Sequence, residues 1–190
     1  MINLVKELRQ LSGAPIGECS AALKATGDLE SALTYLQEKG KVIGKLDKPT
    51  EEGLLFSYIH ANKIGVILEV KCTTDFTART EEFSSFGEAI ALQIAAMNPK
   101  YLEVRAVPLD TLMHQRDIFK AQLQNEGKPE KAWPNIIDGK MTKWLAENCL
   151  SLQESVVLPG KTIEELRLAL SSKVGENIVI RRFIRWELGQ

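Results

Sequence analysis

The sequence predicts an α+β protein: a three-helix domain over residues 1–40, a linker over 41–53, and a core over 54–190 in which helices pack on a three-stranded antiparallel sheet. Three observations carry this reading. In the first forty residues apolar side chains recur every three or four positions, the spacing of an amphipathic helix, and glycines punctuate the pattern. Two segments, 54–71 and 177–187, instead alternate apolar with polar residues and are rich in β-branched and aromatic types, as half-buried antiparallel strands are. Between these segments helical spacing returns in runs bounded by proline and glycine.

Taken in order, Asn3 is placed to cap a first helix whose inner face is Leu4, Val5, Leu8 and Leu11. Ser12-Gly13-Ala14-Pro15 then turns the chain, because glycine tolerates unusual φ and proline suits the first turn of a helix but not its interior. A second helix spans about Ile16 to Thr26, with Cys19, Ala22 and Leu23 inward and Gly27 as its stop. Asp28 caps a third, which carries Leu29, Ala32, Leu33 and Leu36 and ends at Gly40. Periodicity then lapses. Residues 41–53 hold two glycines, a proline and a run of charges, the composition of an exposed connection.

A hairpin follows, from Leu54 to His60, through Ala61-Asn62-Lys63, and back from Ile64 to Lys71 with Val66, Leu68 and Val70 on one face. Residues 72–79 read as a polar loop. A core helix starts near Thr80, steps through Phe83, Phe86, Ile90, Ile94 and Met97, and is halted by Pro99. Another runs from about Pro108 to Glu126, and the stretch 130–150 reads as two short helices broken by Pro134 and Gly139. Thr162 and Glu165 have the spacing of a capping box, opening a helix to Lys173 that Gly175 closes. The alternating end, Asn177 to Glu187, is the third strand.

The 190 residues are 44% hydrophobic and 26% charged, enough for one substantial core or for a small module beside a medium one. A net charge of −1 supplies no bulk positive field toward nucleic acid or an anionic membrane. The start lacks the layout of a signal peptide, and no stretch approaches the roughly 18 apolar residues of a membrane span. Cysteines 19, 72 and 149 are odd in number and far apart, which suits a reducing compartment, and with only His60 and His114 a site of several imidazoles is excluded by counting. The expected location is the cytoplasm, with no cofactor and no metal.

Residues placed for covalent chemistry are few. Cys72 and His60, both in the hairpin, would form a dyad only if the fold brought them together, and a packing cysteine is the better reading. Asp75 has no second acid beside it and reads as a cap for the following turn. No glycine-rich loop follows a strand as a phosphate cradle would. Arg181-Arg182-Phe183-Ile184-Arg185-Trp186 mixes cations with aromatics, as single-stranded RNA binders do, but a solvated sheet face has the same composition. Phe76 fits the structural pattern least. A phenylalanine in a polar loop either folds back on the core or protrudes as an anchor for a partner's pocket, and the residues alone leave both readings open.

Thr74-Asp75-Phe76, preceded by Leu68-Glu69-Val70-Lys71-Cys72 and followed by Ala78-Arg79, resembles the signature of the elongation factor Ts family. The likeness extends along the chain. It includes Leu4 to Arg9 with Ser12-Gly13-Ala14, Gly27-Asp28 with Ala32 and Lys39-Gly40, Met97 to Tyr101, Asn125 to Pro129, and Val174 to Phe183. The resemblance implies a guanine-nucleotide exchange factor for elongation factor Tu, acting without covalent chemistry. Its first domain would be of the ubiquitin-associated type and would dock on the GTPase's nucleotide-binding domain. Phe76 would act as a wedge between helices near the GTPase's magnesium site, Asp75 would hydrogen-bond and help dislodge the ion, and Thr74 and Thr77 would shape the loop. The partner would be met in its GDP-bound and nucleotide-free forms, with no membrane and no direct nucleic acid expected. Where Thr77 stands the family often has valine, its Gln-Pro-Phe-Val run appears as Gln153-Glu154-Ser155-Val156, and residues 42–47 replace a segment rich in lysine and alanine. The chain also resembles short members with one α/β core unit, for which a homodimer through the sheet is an expectation. The competing classes are an adaptor for ubiquitin-like partners, indifferent to Phe76→Ala, and an RNA binder whose salt-dependent affinity would fall in Arg182→Ala or Arg185→Ala.

Overall fold

The structure, a computed structural model, describes residues 2–12, 14, 16–38 and 50–189. The N-terminal module is built of α1 (Ile2–Ser12), α2 (Ile16–Thr26) and α3 (Leu29–Glu38). Helix α1 begins at Ile2, one residue ahead of the expected cap Asn3. The expected stop at Gly40, Gly13 and Pro15 of the first turn, and positions 41–49 of the expected linker lie outside the described residues. The module's interior is Leu8, Ala14, Cys19, Ala22, Leu23, Ala32 and Leu36. Small side chains dominate, which lets short helices approach closely around a core that only a few leucines fill. Ser12 bends the chain: its hydroxyl donates to the Leu8 carbonyl at 2.6 Å and accepts from the Ala14 amide at 3.2 Å. Asp28 caps α3 through the Ser31 amide at 2.9 Å, and that bond is the main reason its carboxyl is held below the ordinary value.

The core is a three-stranded antiparallel sheet in the order β1 (Glu52–His60), β2 (Ile64–Cys72), β3 (Val179–Glu187). Strand β1 starts at Glu52, two residues before the expected hairpin, so Glu52 and Gly53 belong to the sheet rather than to the connection. Ala61 and Asn62 both adopt left-handed φ, and the Lys63 amide donates to the His60 carbonyl at 2.9 Å. Val66, Leu68 and Val70 point to one face and are 2%, 0% and 0% exposed, confirming the alternation.

Helix α5 (Glu81–Met97) covers that face with Phe83, Ile90 and Ile94. Thr80 caps it, and Asn98 ends it in the left-handed conformation just before Pro99. Its close approach to β1 depends on Gly87, where a Cβ would lie 2.2 Å from the Phe56 ring. Residues Leu109–Asn125 and Trp133–Asn148 form α6 and α7, an antiparallel pair with Leu123 and Met141 buried. The expectation of two short helices over 130–150 is corrected here to one 3₁₀ turn, Glu130–Ala132, followed by the single helix α7. Pro134 stands in the first turn, where its missing N–H has no intrahelical partner to lose. Gly139 lies inside the helix at a cost of about 1 kcal/mol relative to alanine. The capping box is realised: Thr162 accepts from the Glu165 amide at 3.2 Å, and the Glu165 carboxylate accepts from the Thr162 amide at 2.7 Å. It opens α8 (Ile163–Val174), which Gly175 closes at φ +72°.

Candidate partner-binding site

Strand β2 ends at Cys72, and eight residues later Thr80 caps α5. The expected loop between them is largely a one-turn helix, α4 (Asp75–Ala78). Local chemistry explains it. Thr74 is extended, with φ −129° and ψ 156°, and its hydroxyl accepts from the Thr77 amide at 3.4 Å. Asp75 places a carboxylate in the first turn, where it opposes the positive end of the peptide dipoles. The turn ends with the Arg79 amide donating to the Asp75 carbonyl at 3.2 Å. Thr80 joins the two helices, donating from its hydroxyl to the Thr77 carbonyl at 2.8 Å and accepting from the Phe83 amide at 3.3 Å.

The turn sorts its side chains by face. Thr77 and Ala78 are buried and seat it against the core, whereas Phe76 is 81% exposed. Of the two readings open for Phe76, the structure selects protrusion. Asp75 pairs with Arg79 across one helical turn at 3.1 Å, with both side chains substantially exposed.

A fifth residue, which the local sequence does not mark, completes the arrangement. Glu176 follows Gly175 after α8, and its carboxylate accepts from the Thr74 hydroxyl at 2.6 Å and from the Thr74 amide at 3.0 Å. Burial raises the Glu176 carboxyl, but hydrogen bonds from the Thr74 and Thr77 hydroxyls and the Thr74 and Thr73 amides outweigh it and hold the group below its ordinary value. The usable signals were the left-handed glycine ahead of Glu176 and its place in the Val174-to-Phe183 signature; neither names its partner.

The other candidates resolve by position. Cys72 pairs with Glu52 and His60 with Ile64, so the two lie at opposite ends of the hairpin, about 26 Å apart at the usual rise of eight strand residues. No dyad forms. The Cys72 thiol donates to the Thr74 carbonyl at 3.1 Å, and burial, with the Glu176 and Glu52 charges, pushes it up to about 11, so it is an unreactive packing group. Arg182 is paired with Glu69 at 2.6 Å. Arg185 is inward, bound to Glu187 at 2.7 Å and to the Ala95 carbonyl near the end of α5 at 3.4 Å. Both arginines therefore have partners within the fold. Among the described residues, no helix is long and apolar enough to cross a membrane.

Fold and site together define a class: a helical module joined to an α+β core that presents an unpacked aromatic on a braced turn, the equipment of a protein-binding factor. The family model described as Elongation factor TS matches residues 18–190. The chain is 46% identical over 190 residues to Elongation factor Ts of Thermoanaerobacter sp. (strain X514), covering 98% of this chain and 93% of that one. It is equally identical to Elongation factor Ts of Caldanaerobacter subterraneus subsp. tengcongensis, with 98% and 95% covered. With Elongation factor Ts of Thermosipho melanesiensis it shares 41% identity, with 99% and 98% covered. This chain belongs to the elongation factor Ts family, and thus to the factors of translation elongation.

Proposed function

We propose that this chain is a guanine-nucleotide exchange factor for elongation factor Tu, and that it expels GDP by pressing the Thr74–Thr77 turn against the GTPase near its magnesium ion. The observation that carries the reading is Phe76, 81% exposed on a helical turn whose other apolar groups are buried. An aromatic held out in water contributes little to its own fold, and it yields free energy only when a partner's pocket desolvates it. Asp75 serves as the second contact. Its exposed pair with Arg79 is worth at most about 1 kcal/mol, so a competing donor on the partner can draw the carboxylate away. Magnesium bridges protein and phosphate oxygens, and displacing its ligands weakens the hold on the diphosphate. Coupling is reciprocal: a factor that lowers nucleotide affinity is itself released when nucleotide returns, which gives turnover without a covalent step.

The partner set includes a second copy of this chain. The outer face of the sheet carries Leu55, Ile59, Ile67, Ile184 and Trp186, all exposed. In cross-strand rows, Ile67 lies between Ser57 and Ile184, and Gly65 between Ile59 and Trp186. Apolar rows on an open sheet face are covered when two copies pack face to face.

The exchange reading is tested by following release of fluorescent GDP from elongation factor Tu with and without a magnesium chelator. The factor should accelerate release strongly in millimolar magnesium and far less once chelation has already stripped the ion. Equal acceleration in both conditions would place the action away from the metal.

A further inference from the structure

We infer that Glu176 is the positioning residue of the exchange turn, the group that aims Phe76. The inference rests on the exchange reading above and extends it to a residue outside the Thr-Asp-Phe segment. Helix α4 is too short to hold itself. Four residues are too few to hold a helical turn in water, because the first turn fixes several dihedrals for a single hydrogen bond. Phe76 cannot supply the missing stability, since its ring is 81% exposed. Its direction is therefore set by the backbone, which Thr77 and Ala78 seat on the core and which starts from Thr74.

What holds Thr74 is the Glu176 carboxylate, 102 residues away in sequence, with one oxygen on the hydroxyl at 2.6 Å and the other on the amide at 3.0 Å. The polarity matters. Because the hydroxyl gives its proton to Glu176, its lone pairs are free for the Thr77 amide, the bond that starts α4. Glu176 is in turn anchored by the left-handed Gly175 and by the Ser171 hydroxyl, which donates to the Glu176 carbonyl. A rigid path thus runs from the end of α8 through Glu176 and Thr74 to Phe76.

The test is a double-mutant cycle on GDP release from elongation factor Tu, using Glu176→Gln, Phe76→Ala and the pair in the full-length chain. Glutamine keeps the shape but offers one acceptor oxygen where two donors converge. Glu176→Gln should slow stimulated release about tenfold, the scale of one charge-assisted hydrogen bond, and should add nothing in the Phe76→Ala background. Amide hydrogen exchange at Thr77 should accelerate in Glu176→Gln while protection in β2 stays unchanged. Glu176→Asp, which retains the charge but is one methylene too short to span both donors, should fall between the two. Release by Glu176→Gln equal to wild type would overturn the inference. So would an equal fractional loss in both backgrounds, since a residue serving only the fold would act whether or not Phe76 is present. Failure of the wild-type chain to accelerate release at all would instead overturn the exchange reading on which the inference stands.

Discussion

In the proposed exchange Phe76 supplies the contact and Glu176 its aim, and their stability signatures differ accordingly. Removing an exposed ring costs the fold little, so Phe76→Ala should leave the thermal unfolding midpoint unchanged, within about 0.5 kcal/mol. The Glu176 carboxyl is held below its ordinary value of 4.5, which means the folded state favours the charged form. That contribution is complete above pH 4.5 and fades as pH drops through the lower folded value. The Cys72 thiol runs the other way. Raised from 9.0 to about 11, it binds its proton more tightly when folded, and stability falls as pH rises beyond 9.0. Chemical denaturation across pH should therefore show a plateau between roughly 5 and 9, and Glu176→Gln should flatten part of its acid edge. At this scale the sequence was half legible. Thr74, Asp75, Phe76 and Thr77 were read from resemblance, but the direction of Phe76 was not, because a four-residue turn has no periodicity to read. Glu176 escaped as a site residue because its partner is set by tertiary structure alone.

At the scale of elements, long patterns were read correctly and short or mixed ones less well. The alternation of β2 and the capping box of α8 appear where expected, since each rests on a local rule acting over several residues. The stretch 130–150 was divided in two because proline and glycine both weaken helices. The structure shows that Pro134 falls where proline is harmless and that α7 continues through Gly139, which is exposed. Gly87 gave no signal as a contact residue, yet it sets the distance between α5 and β1. Gly87→Ala would drive a methyl group into the Phe56 ring, and although alanine is the better helix former, the overpacking should cost about 2 kcal/mol in urea unfolding. An unchanged or raised midpoint would show that Phe56 rotates away freely. Gln93 is the polar counterpart in the same helix. Fully buried, it donates to the Gln153 side chain and the Glu154 carbonyl at 3.1 Å and accepts from the Val156 amide at 2.8 Å. It thereby fixes the segment after α7 that carries Gln153 to Val156.

For the whole molecule, the two faces of the sheet have different roles. One is sealed by α5; the other leaves apolar rows in solvent. If a second copy covers them, light scattering should give about twice the chain mass, and Trp186→Glu should return it to monomer without loss of secondary structure. A monomer mass for the wild-type chain would reject that assembly while leaving the exchange reading intact. The α+β class and the sheet order were legible because they follow from hydrophobic period and strand count. From the sequence, the chain's near-neutral net charge favours a solvated sheet face over an RNA-binding one, and the resemblance alone raises a homodimer through the sheet. The apolar rows of the outer face emerge only once register places Ile67 beside Ile184 and Gly65 beside Trp186. The exposed aromatic is central to the proposed exchange, so the most direct measurement is stopped-flow release of fluorescent GDP from elongation factor Tu by the wild-type chain and by Phe76→Ala at equal concentration. The wild-type chain should accelerate release, and Phe76→Ala, equally folded, should lose most of that acceleration. Full acceleration by Phe76→Ala would contradict the account and move the action to other contacts.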